Sequence, residues 1–363
     1  MKKIMLVFGT RPEAIKMCPL AKELMGRDDA ETVVCVTGQH REMLDSVLKI
    51  FNVVPHYDLS VMKKERTLFG ITTKILNELP DVLEKEKPDI VLVHGDTTTS
   101  FASSLACYYA GIPVGHVEAG LRTYCARSPF PEEFNRQAIS VIADLHFAPT
   151  ELARENLLRE GKRAETVFVT GNTVLDALKG TVEENFSHEI LEWASGYSLI
   201  FVTAHRRESI GKPMRGMFRA IRRILEEYPD VRAVYPVHKN PAVRKIAKEE
   251  LSDCENLRMT EPLDMIACHN LMARSFLILT DSGGIQEEAS ALAKPVLVMR
   301  DTTERLEGVR TGVLRLVGTE EEGILEAFRE IAENEELYRA MSSATSPYGD
   351  GCACKRIADV ILK

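Results

Sequence analysis

The chain has 363 residues and carries 46 Lys and Arg against 54 Asp and Glu, a formal net charge of -8. The length predicts about two domains. The composition, 45% hydrophobic and 28% charged, is that of a globular protein and disfavours disorder, collagen-like repeats and coiled coils. The acidic balance disfavours non-specific binding of nucleic acid or anionic lipid, so a phosphate-bearing ligand needs a local positive site.

The eight cysteines lack the paired CxxC spacing that is typical of zinc sites, which predicts reduced thiols. The first apolar run, residues 4–8, is too short for a signal peptide and is followed at once by charged residues. No apolar stretch approaches the roughly 18 residues that a membrane span needs. We therefore expect a cytoplasmic protein without a membrane partner.

Short β-branched runs alternate with amphipathic helical stretches along the chain, a pattern typical of βαβ units and parallel sheets. The predicted strands cover residues 3–8, 32–37, 90–94, 114–118, 145–148, 166–169, 199–203, 231–236, 257–259, 276–280 and 296–299. Eleven strands exceed one comfortable sheet, and the pattern breaks near 171–173, before a predicted helix over 174–179 and a polar segment over 183–198.

We therefore predict an α/β protein with two doubly wound, Rossmann-like domains that face a central cleft. The first domain covers residues 1–170, and a C-terminal helix within 352–363 packs back on it. The second covers residues 171–351. Open α/β sheets bind ligands at the carboxyl ends of their strands, so candidate residues are sought after each strand.

The first strand leads into GTRPEAIK at 9–16, which places Arg11 and Lys16 on a strand-to-helix turn beside the positive end of a helix. The segment is neither a dinucleotide-binding GxGxxG nor a P-loop, which weakens both of those readings. An anion site is one interpretation. The other is a surface arginine and lysine that solvate a helix start.

Three carboxylates follow neighbouring strands: Asp96 after HG at 94–95, Glu118 in HVEAGLRT, and Glu132 in PFPEEFNRQ. Proton transfer at carbon needs a group on each face of the reacting atom, and carboxylates that share a site perturb one another's pKa values. The cluster therefore suggests acid/base chemistry. For each carboxylate alone, a helix cap or an arginine partner such as Arg122 or Arg136 is an equally good explanation.

A divalent metal site is an open alternative for the same region. His94 with Asp96, and His116 with Glu118, offer two imidazoles and two carboxylates on adjacent strands. The turn at Gly95 disfavours this reading, because it re-aims Asp96 away from His94.

The second half repeats the pattern with polar residues of another kind. The segment DSGGIQEE at 281–288 begins a helix after a strand, and glycines there allow backbone N–H groups to cradle a diphosphate. Glu288 is placed to accept hydrogen bonds from ribose hydroxyls. His205 follows the first strand of this half as a candidate donor to phosphate or general acid, and Arg305 follows the last as a phosphate contact. The alternatives are a structural glycine turn and a structural histidine.

Together these motifs resemble the non-hydrolysing UDP-N-acetylglucosamine 2-epimerases. The matching segments are GTRPEAIK at 9–16, HGDTTT at 94–99, HVEAGLRT at 116–123, PFPEEFNRQ at 129–137, TAHRRES at 203–209, YPVHKNP at 235–241, DSGGIQEEA at 281–289 and RDTTER at 300–305. The resemblance implies a fold like the GT-B glycosyltransferases, a homodimer, and reversible interconversion of UDP-GlcNAc and UDP-ManNAc without a redox cofactor or a metal. It also implies a supply of activated ManNAc for surface polysaccharide synthesis.

The implied mechanism is anti elimination of UDP to give 2-acetamidoglucal, followed by re-addition of UDP with protonation of C2 on the opposite face. By motif match, the acid/base candidates are Asp96, Glu118 and Glu132, and the groups that stabilise the leaving UDP are His205 and Arg11. Positions that bind UDP in the family are occupied here by Lys16, Ser282, Gly283, Gly284, Glu288 and Arg305. Which carboxylate serves which face is left open.

Members of this family can also bind UDP-GlcNAc at an activating site. Its pattern is matched by Gln39, Arg66, Arg206 and His238, whereas Glu42 stands where Gln is common. Cys268 stands where Phe often contacts the uracil, so weaker contact with the base is expected. Three other functions remain open: a hydrolysing 2-epimerase that releases ManNAc and UDP, a glycosyltransferase of the same fold, and a non-catalytic nucleotide-sugar sensor.

Overall fold

The structure is a computed structural model that describes residues 1–38, 41–61, 67–303 and 305–363, without the side chains of 41–43. The described chain divides into two compact units: unit 1 is Met1–Lys179 with Tyr348–Lys363, and unit 2 is Gly180–Pro347. Among the described helices, none combines the length and apolar character needed to cross a bilayer.

Unit 1 is built on a seven-stranded sheet in the order β3-β2-β1-β4-β5-β6-β7, with parallel pairing throughout. Its strands are β1 (Lys2–Phe8), β2 (Ala30–Val36), β3 (Tyr57–Asp58), β4 (Ile90–His94), β5 (Val114–Val117), β6 (Leu145–Ala148) and β7 (Val167–Val169). Its helices are α1 (Arg11–Met25), α2 (Arg41–Ile50), α3 (Leu68–Glu86), α4 (Thr98–Ala110), α5 (Glu132–Ile142), α6 (Glu151–Arg159), α7 (Val174–Lys179) and, at the C-terminus, α16 (Ala353–Ile361).

The order of the strands explains where the candidate residues gather. Strand β1 lies between β2 and β4. The strands β2 and β3 are added on one side of β1, and the strands from β4 onward are added on its other side. Every residue of β4 is buried, as expected for a parallel strand covered on both faces. The α1 helix packs against α7 and α16. The turns after β1, β4 and β5 consequently meet at one edge, where open α/β sheets bind ligands.

Unit 2 is built on a six-stranded sheet in the order β10-β9-β8-β11-β12-β13, also parallel. Its strands are β8 (Ser198–Thr203), β9 (Val231–Pro236), β10 (Leu257–Thr260), β11 (Leu277–Thr280), β12 (Val296–Val298) and β13 (Leu314–Leu316). Its helices are α8 (Glu189–Trp193), α9 (Lys212–Glu227), α10 (Pro241–Leu251), α11 (Met265–Ala273), α12 (Gly283–Ala291), α13 (Leu306–Thr311), α14 (Glu321–Glu333) and α15 (Glu335–Ser343).

The α/β class and the two parallel sheets predicted from the sequence are confirmed. Two edge strands, β3 and β13, were not predicted, because runs of two and three residues carry too little periodicity to read. The polar segment over 183–198 contains the short helix α8. The unit boundaries also differ from the predicted 170/171 and 351/352: α7 and residues 348–351 belong to unit 1. Their packing partners lie in unit 1, which a break in sequence pattern does not reveal.

Candidate active site

The turn after β1 is organised by a buried glutamate. Thr10 and Glu13 form a capping box at the start of α1, and the carboxylate of Glu13 accepts hydrogen bonds from the backbone N–H groups of Gly9 (3.1 Å) and Thr10 (2.8 Å). Its other oxygen accepts from the hydroxyls of Thr97 (2.7 Å) and Ser100 (3.0 Å) at the start of α4. Glu13 therefore ties the turns after β1 and β4 together and supplies the anion that this helix start attracts.

Lys16 and Glu118, two of the predicted site residues, come together in an ion pair. Glu118 follows β5 with φ of 62°, a left-handed conformation that turns the chain away from the strand direction. Its Oε2 accepts from the Lys16 ammonium and from the Asn172 amide, the latter at 2.8 Å. The Nε2 of His94 lies 3.7 Å from the same oxygen. Glu118 is thus held by groups from three separate parts of unit 1.

Asp96 is held by a second cation. The guanidinium of Arg136 donates to its Oδ2 at 2.8 Å, and the same guanidinium donates to buried Glu133 at 2.9 Å. The Asp96 side chain keeps 30% of its surface exposed. Desolvation raises the pKa of Asp96 above its usual value, the nearby charges of Glu118 and Glu132 act in the same direction, and Arg136 and His94 oppose them. The three predicted carboxylates are therefore close enough to interact electrostatically.

Glu132 lies half-buried in the first turn of α5, the position where a carboxylate is favoured by the helix dipole. Its neighbour Glu133 has a different task. Glu133 is fully buried and accepts from the backbone N–H groups of Thr123 (3.0 Å) and Tyr124 (3.1 Å), so it anchors the loop after β5. Hydrogen bonds from Gln137, Thr123 and Arg136 lower the pKa of Glu133 against its desolvation. Of the two adjacent glutamates, Glu132 is therefore the one available for chemistry.

The ring of His116, one of the groups in the metal alternative, contacts the backbone. Its Nε2 lies 2.7 Å from the Gly95 carbonyl oxygen. Burial lowers the pKa of His116 to about 3, so the ring is neutral. Within the residues that the structure describes, no group of three or more His, Cys, Asp or Glu is arranged to hold a metal ion.

In unit 2, the turns after β8 and β11 are joined by Asp281. This fully buried carboxylate accepts from the backbone N–H groups of His205 (2.8 Å) and Arg206 (2.9 Å). Its other oxygen lies 3.6 Å from Nδ1 of His205 and has no hydrogen-bond partner among the described residues. The ring of His205, 38% exposed, stacks on that of His238 with 5.5 Å between centroids. Asp281 therefore fixes the backbone that carries His205.

The glycine-rich helix start predicted in unit 2 is present as α12, which begins after Ser282 with Gly283 and Gly284. Within the described chain, this helix has no side-chain cap and no acidic residue in its first turn. A Cβ built on Gly284 would lie 3.9 Å from its nearest neighbour, Oε1 of Glu288, an ordinary van der Waals distance, so the backbone here is not crowded. N–H groups at such a helix start suit an anion.

The other predicted UDP contacts in unit 2 already have partners in the protein. The Arg305 guanidinium donates to buried Glu287 at 3.0 Å, and Thr303 donates to Gln286 at 2.8 Å, which ties the loop after β12 to α12. Glu288 lies 3.6 Å from Nε2 of His269. Arg305 therefore lies against α12, to which Glu288 itself belongs, and is paired there with the buried carboxylate of Glu287.

The predicted activating site can be followed only in part. The guanidinium of Arg206 pairs with Glu208 at 2.8 Å, and His238 is exposed beside His205. Gln39, Arg66 and the side chain of Glu42 lie outside the described residues.

Four of the residues that organise the site were not singled out as site residues from the sequence, namely Glu13, Arg136, Asn172 and Asp281. A T-x-x-E signal for the capping box was available at Thr10 to Glu13, and Arg136 was weighed only as a partner for a carboxylate. Asp281 is the first residue of the DSGGIQEE segment but was not assigned a role, and Asn172 carried no local signal. Their partners are distant in sequence, so only tertiary structure reveals them.

The two parallel sheets, the carboxylate cluster in unit 1 and the glycine-rich helix start in unit 2 define the class: a two-unit α/β enzyme whose helix start suits a phosphate-bearing ligand. The family model for UDP-N-acetylglucosamine 2-epimerase matches residues 22–362. The chain belongs to the UDP-N-acetylglucosamine 2-epimerase family, which confirms the family and the class of enzyme predicted from the sequence.

Similar proteins cover the chain from end to end. The UDP-N-acetylglucosamine 2-epimerase of Bacillus subtilis is 54% identical over 360 residues, which are 99% of this chain and 95% of that protein. The structure is similar to a UDP co-structure of MnaA from S. aureus, with a TM-score of 0.94, 53% identity and coverage of 99% and 96% of the two chains. It is also similar to the Neisseria meningitidis UDP-GlcNAc 2-epimerase bound to UDP-GlcNAc, with a TM-score of 0.93, 48% identity and 99% coverage of each chain.

Proposed function

We propose that the protein interconverts UDP-GlcNAc and UDP-ManNAc without hydrolysis. A carboxylate removes the C2 proton while the C1–O bond to UDP breaks, and the electron pair of the C–H bond forms the C1–C2 double bond of 2-acetamidoglucal. UDP then adds back to C1 while an acid delivers a proton to C2 from the opposite face. The carbon skeleton, the nucleotide and the number of protons are conserved, so no redox cofactor takes part.

The observation that carries this proposal is the set of three interacting carboxylates in unit 1, Asp96, Glu118 and Glu132. Deprotonation and reprotonation on opposite faces need one group that accepts and one that donates a proton. The raised pKa of Asp96 favours its protonated form, whereas the Lys16 ammonium favours the ionised form of Glu118. The two neighbouring carboxyls thus have different electrostatic surroundings, as paired acid and base groups require.

Unit 2 supplies the groups proposed to hold UDP. The start of α12 offers N–H groups of Gly283 and Gly284 to a diphosphate, and His205 offers an imidazole that the Asp281 contact keeps in place. In the proposed role, His205 stabilises the charge that develops on the leaving UDP, together with Arg11 from the first turn of α1. Lys16, Ser282, Glu288 and Arg305 complete the proposed UDP-binding set.

The deciding experiment is incubation with UDP-GlcNAc in deuterium oxide, followed by NMR at C2. We expect UDP-ManNAc that carries deuterium at C2, and deuterium at C2 of the remaining UDP-GlcNAc as well. Free ManNAc with UDP as the accumulating products would establish the hydrolysing alternative. UDP release that needs an added acceptor, without deuterium at C2, would indicate a glycosyltransferase, and binding without UDP release or exchange would indicate a sensor.

The proposed assembly is a homodimer formed through the outward faces of α3, α4 and α5, which pack side by side in unit 1. These helices expose large apolar side chains, namely Phe69 (87%), Tyr108 (63%), Tyr109 (75%), Phe134 (49%) and Val141 (77%). Phe134 packs edge-on against Phe101 of α4 with 5.6 Å between centroids, so aromatic surface runs from one helix to the next. Exposed apolar surface of this extent supports an interface.

Light scattering after gel filtration tests the dimer. Tyr109→Glu is expected to give a monomer, because a charge in an apolar interface is costly to bury. Val54→Glu is the matched control, since Val54 is 74% exposed in unit 1 outside these helices. A Tyr109→Glu protein that stays dimeric would place the interface elsewhere.

Two further parts of the proposal concern the cellular setting. The proposed location is the cytoplasm, which is supported by eight cysteines that form no disulfide in the described structure, four of them buried. The product, an activated ManNAc, is proposed to feed surface polysaccharide synthesis.

Activation by a second UDP-GlcNAc is proposed to involve Arg206 and His238 with Gln39, Arg66 and Glu42. A sigmoidal dependence of the rate on substrate concentration, at low substrate, would reveal it.

A further inference from the structure

Asn172 is a buried asparagine that none of the predicted roles includes. It lies between β7 and α7, where only 2% of its surface is exposed. Its amide Nδ2 donates to Oε2 of Glu118 at 2.8 Å across 54 positions of sequence. We propose that Asn172 is a positioning residue for Glu118, which it fixes in orientation and, together with Lys16, holds as a carboxylate. This inference rests on the proposed function, in which Glu118 exchanges a proton with C2.

The orientation of the Asn172 amide is set by its own neighbours. Oδ1 accepts a hydrogen bond from the backbone N–H of Val174 at 3.1 Å, at the start of α7. Because an N–H group can be satisfied only by the amide oxygen, the amide nitrogen must be the atom that faces Glu118. The side chain therefore presents a donor, and a donor favours the charged form of the carboxyl.

The backbone of Asn172 is held as firmly as its side chain. Its N–H donates to the carbonyl of Tyr348 at 2.7 Å, where the returning C-terminal segment passes. The neighbouring Gly171 has φ of 87°, and a Cβ there would lie 3.1 Å from that same carbonyl oxygen. A glycine is needed for this close approach. The donor to Glu118 consequently sits on a fixed support made by two distant stretches of unit 1.

Lys16 and Asn172 have different parts in holding Glu118. The Lys16 ammonium is a point charge on a flexible stem, which stabilises a carboxylate without fixing its direction. The Asn172 amide carries no charge but has one permitted direction. Donors to a carboxylate favour its charged form, so we expect loss of the Asn172 hydrogen bond to move the protonation of Glu118 to higher pH by about one unit.

Substitutions of Asn172 can distinguish its hydrogen bond to Glu118 from its hydrogen bond with the Val174 N–H at the start of α7. Asn172→Ser keeps a hydroxyl that can accept from the Val174 N–H but is too short to reach Glu118. Asn172→Asp keeps the size and the acceptor and turns the donor into a second carboxylate beside Glu118. Asn156→Asp is the matched control, because Asn156 is buried in unit 1 and donates instead to the carbonyl of Gly120, at 3.0 Å.

We expect kcat/KM for epimerisation to fall about tenfold in Asn172→Ser and further in Asn172→Asp, mainly through kcat. The acid limb of the pH profile should move to higher pH by about one unit or more, with partial rescue of Asn172→Asp at high pH. Asn156→Asp should lower thermal stability and leave the pH profile in place. Asn172 variants with the wild-type pH profile would overturn the inference, even if they were slower.

A measurement that needs no turnover keeps this inference separate from the proposed function. Carbon-13 NMR of labelled glutamate carboxyls, with the Glu118 signal assigned by Glu118→Gln, follows the protonation of that group directly. The midpoint for Glu118 should rise by about one pH unit in Asn172→Ser. An unchanged midpoint would refute the role of Asn172. If the wild-type protein were inactive but the Glu118 midpoint still rose in Asn172→Ser, the proposed function would be refuted and the role of Asn172 would stand.

Discussion

Helix α1 of unit 1 and helix α12 of unit 2 both begin directly after a strand, but their first turns are occupied in opposite ways. In unit 1, the first turn of α1 contains Glu13, whose carboxylate accepts from the N–H groups of Gly9 and Thr10. In unit 2, α12 starts with Gly283 and Gly284, and among the described residues it has neither a side-chain cap nor an acid in its first turn. One helix start supplies its own anion, and the other suits an anion from outside.

The three carboxylates predicted as acid/base groups all lie in unit 1. In unit 1, Asp96 and Glu118 are each paired with a cation, and the pKa of Asp96 is raised by desolvation and, in addition, by the nearby charge of Glu118. In unit 2, the buried acids Asp281 and Glu287 hold backbone N–H groups and the Arg305 guanidinium, which is the structural task that Glu13 and Glu133 have in unit 1. This difference fits the proposal that unit 1 transfers the proton and unit 2 holds the charged ligand, although both units have the same α/β pattern.

The largest expected effect is on proton transfer in unit 1. Asp96→Asn keeps an oxygen for Arg136 but removes the exchangeable proton, and we expect deuterium exchange at C2 to fall by roughly 10³-fold. Asp144→Asn is the matched control, because Asp144 only accepts from the Val114 N–H, at 2.9 Å. Wild-type exchange in Asp96→Asn would remove Asp96 from the catalytic set.

The next effect concerns acid stability, which should differ between the units. Burial lowers the pKa of His116 to about 3 and that of His146 to about 4. The unfolded chain binds protons at these histidines from about pH 6.5 downward, whereas the folded chain does not, so the free energy of unfolding falls as pH decreases. Between pH 6.5 and 4 the loss should be on the order of a few kcal/mol.

Urea unfolding followed across this pH range measures that loss. Because both histidines lie in unit 1, the transition of unit 1 should move to lower urea in acid. The double variant His116→Gln with His146→Gln should have a flatter pH dependence, whatever its absolute stability. An unchanged slope would show that other groups cause the acid sensitivity.

A smaller effect is expected when the start of α12 is made to resemble that of α1. Gly284→Asp adds a carboxylate in the first turn, where a Cβ meets only Glu288 at 3.9 Å. It should weaken UDP binding about tenfold by repelling the diphosphate, while the helix itself is favoured by the new charge. Calorimetry would compare it with Gly284→Asn, which has the same size without the charge. Equal affinities would argue against diphosphate binding at this helix.

The smallest effect concerns the base of the nucleotide. Cys268 is half-buried in α11, and Cys268→Phe should tighten UDP binding by about threefold through added aromatic contact. Cys268→Ala should leave the affinity nearly unchanged. A Phe variant that binds UDP no better than the Ala variant would show that the base does not reach this residue.

Local patterns were enough to predict most of the fold. The strands β4, β6 and β9 and the helix α7 have the bounds predicted from the sequence, because buried runs and helical periodicity are local properties. The edge strands β3 and β13 were not predicted, since pairing with a neighbour, rather than their own residues, makes them strands. The unit boundary likewise depends on packing partners that lie far along the chain.

The sequence by itself determined the family, the α/β class and the identity of the candidate acids, because these conclusions depend only on residue types and on the order of the motifs along the chain. Only the tertiary structure decided which groups hold those acids. Lys16 and Asn172 reach Glu118 across 102 and 54 positions of sequence, and Arg136 reaches Asp96 across 40. The protonation of a carboxyl depends on its desolvation and on the charges around it, and these exist only once distant segments have come together.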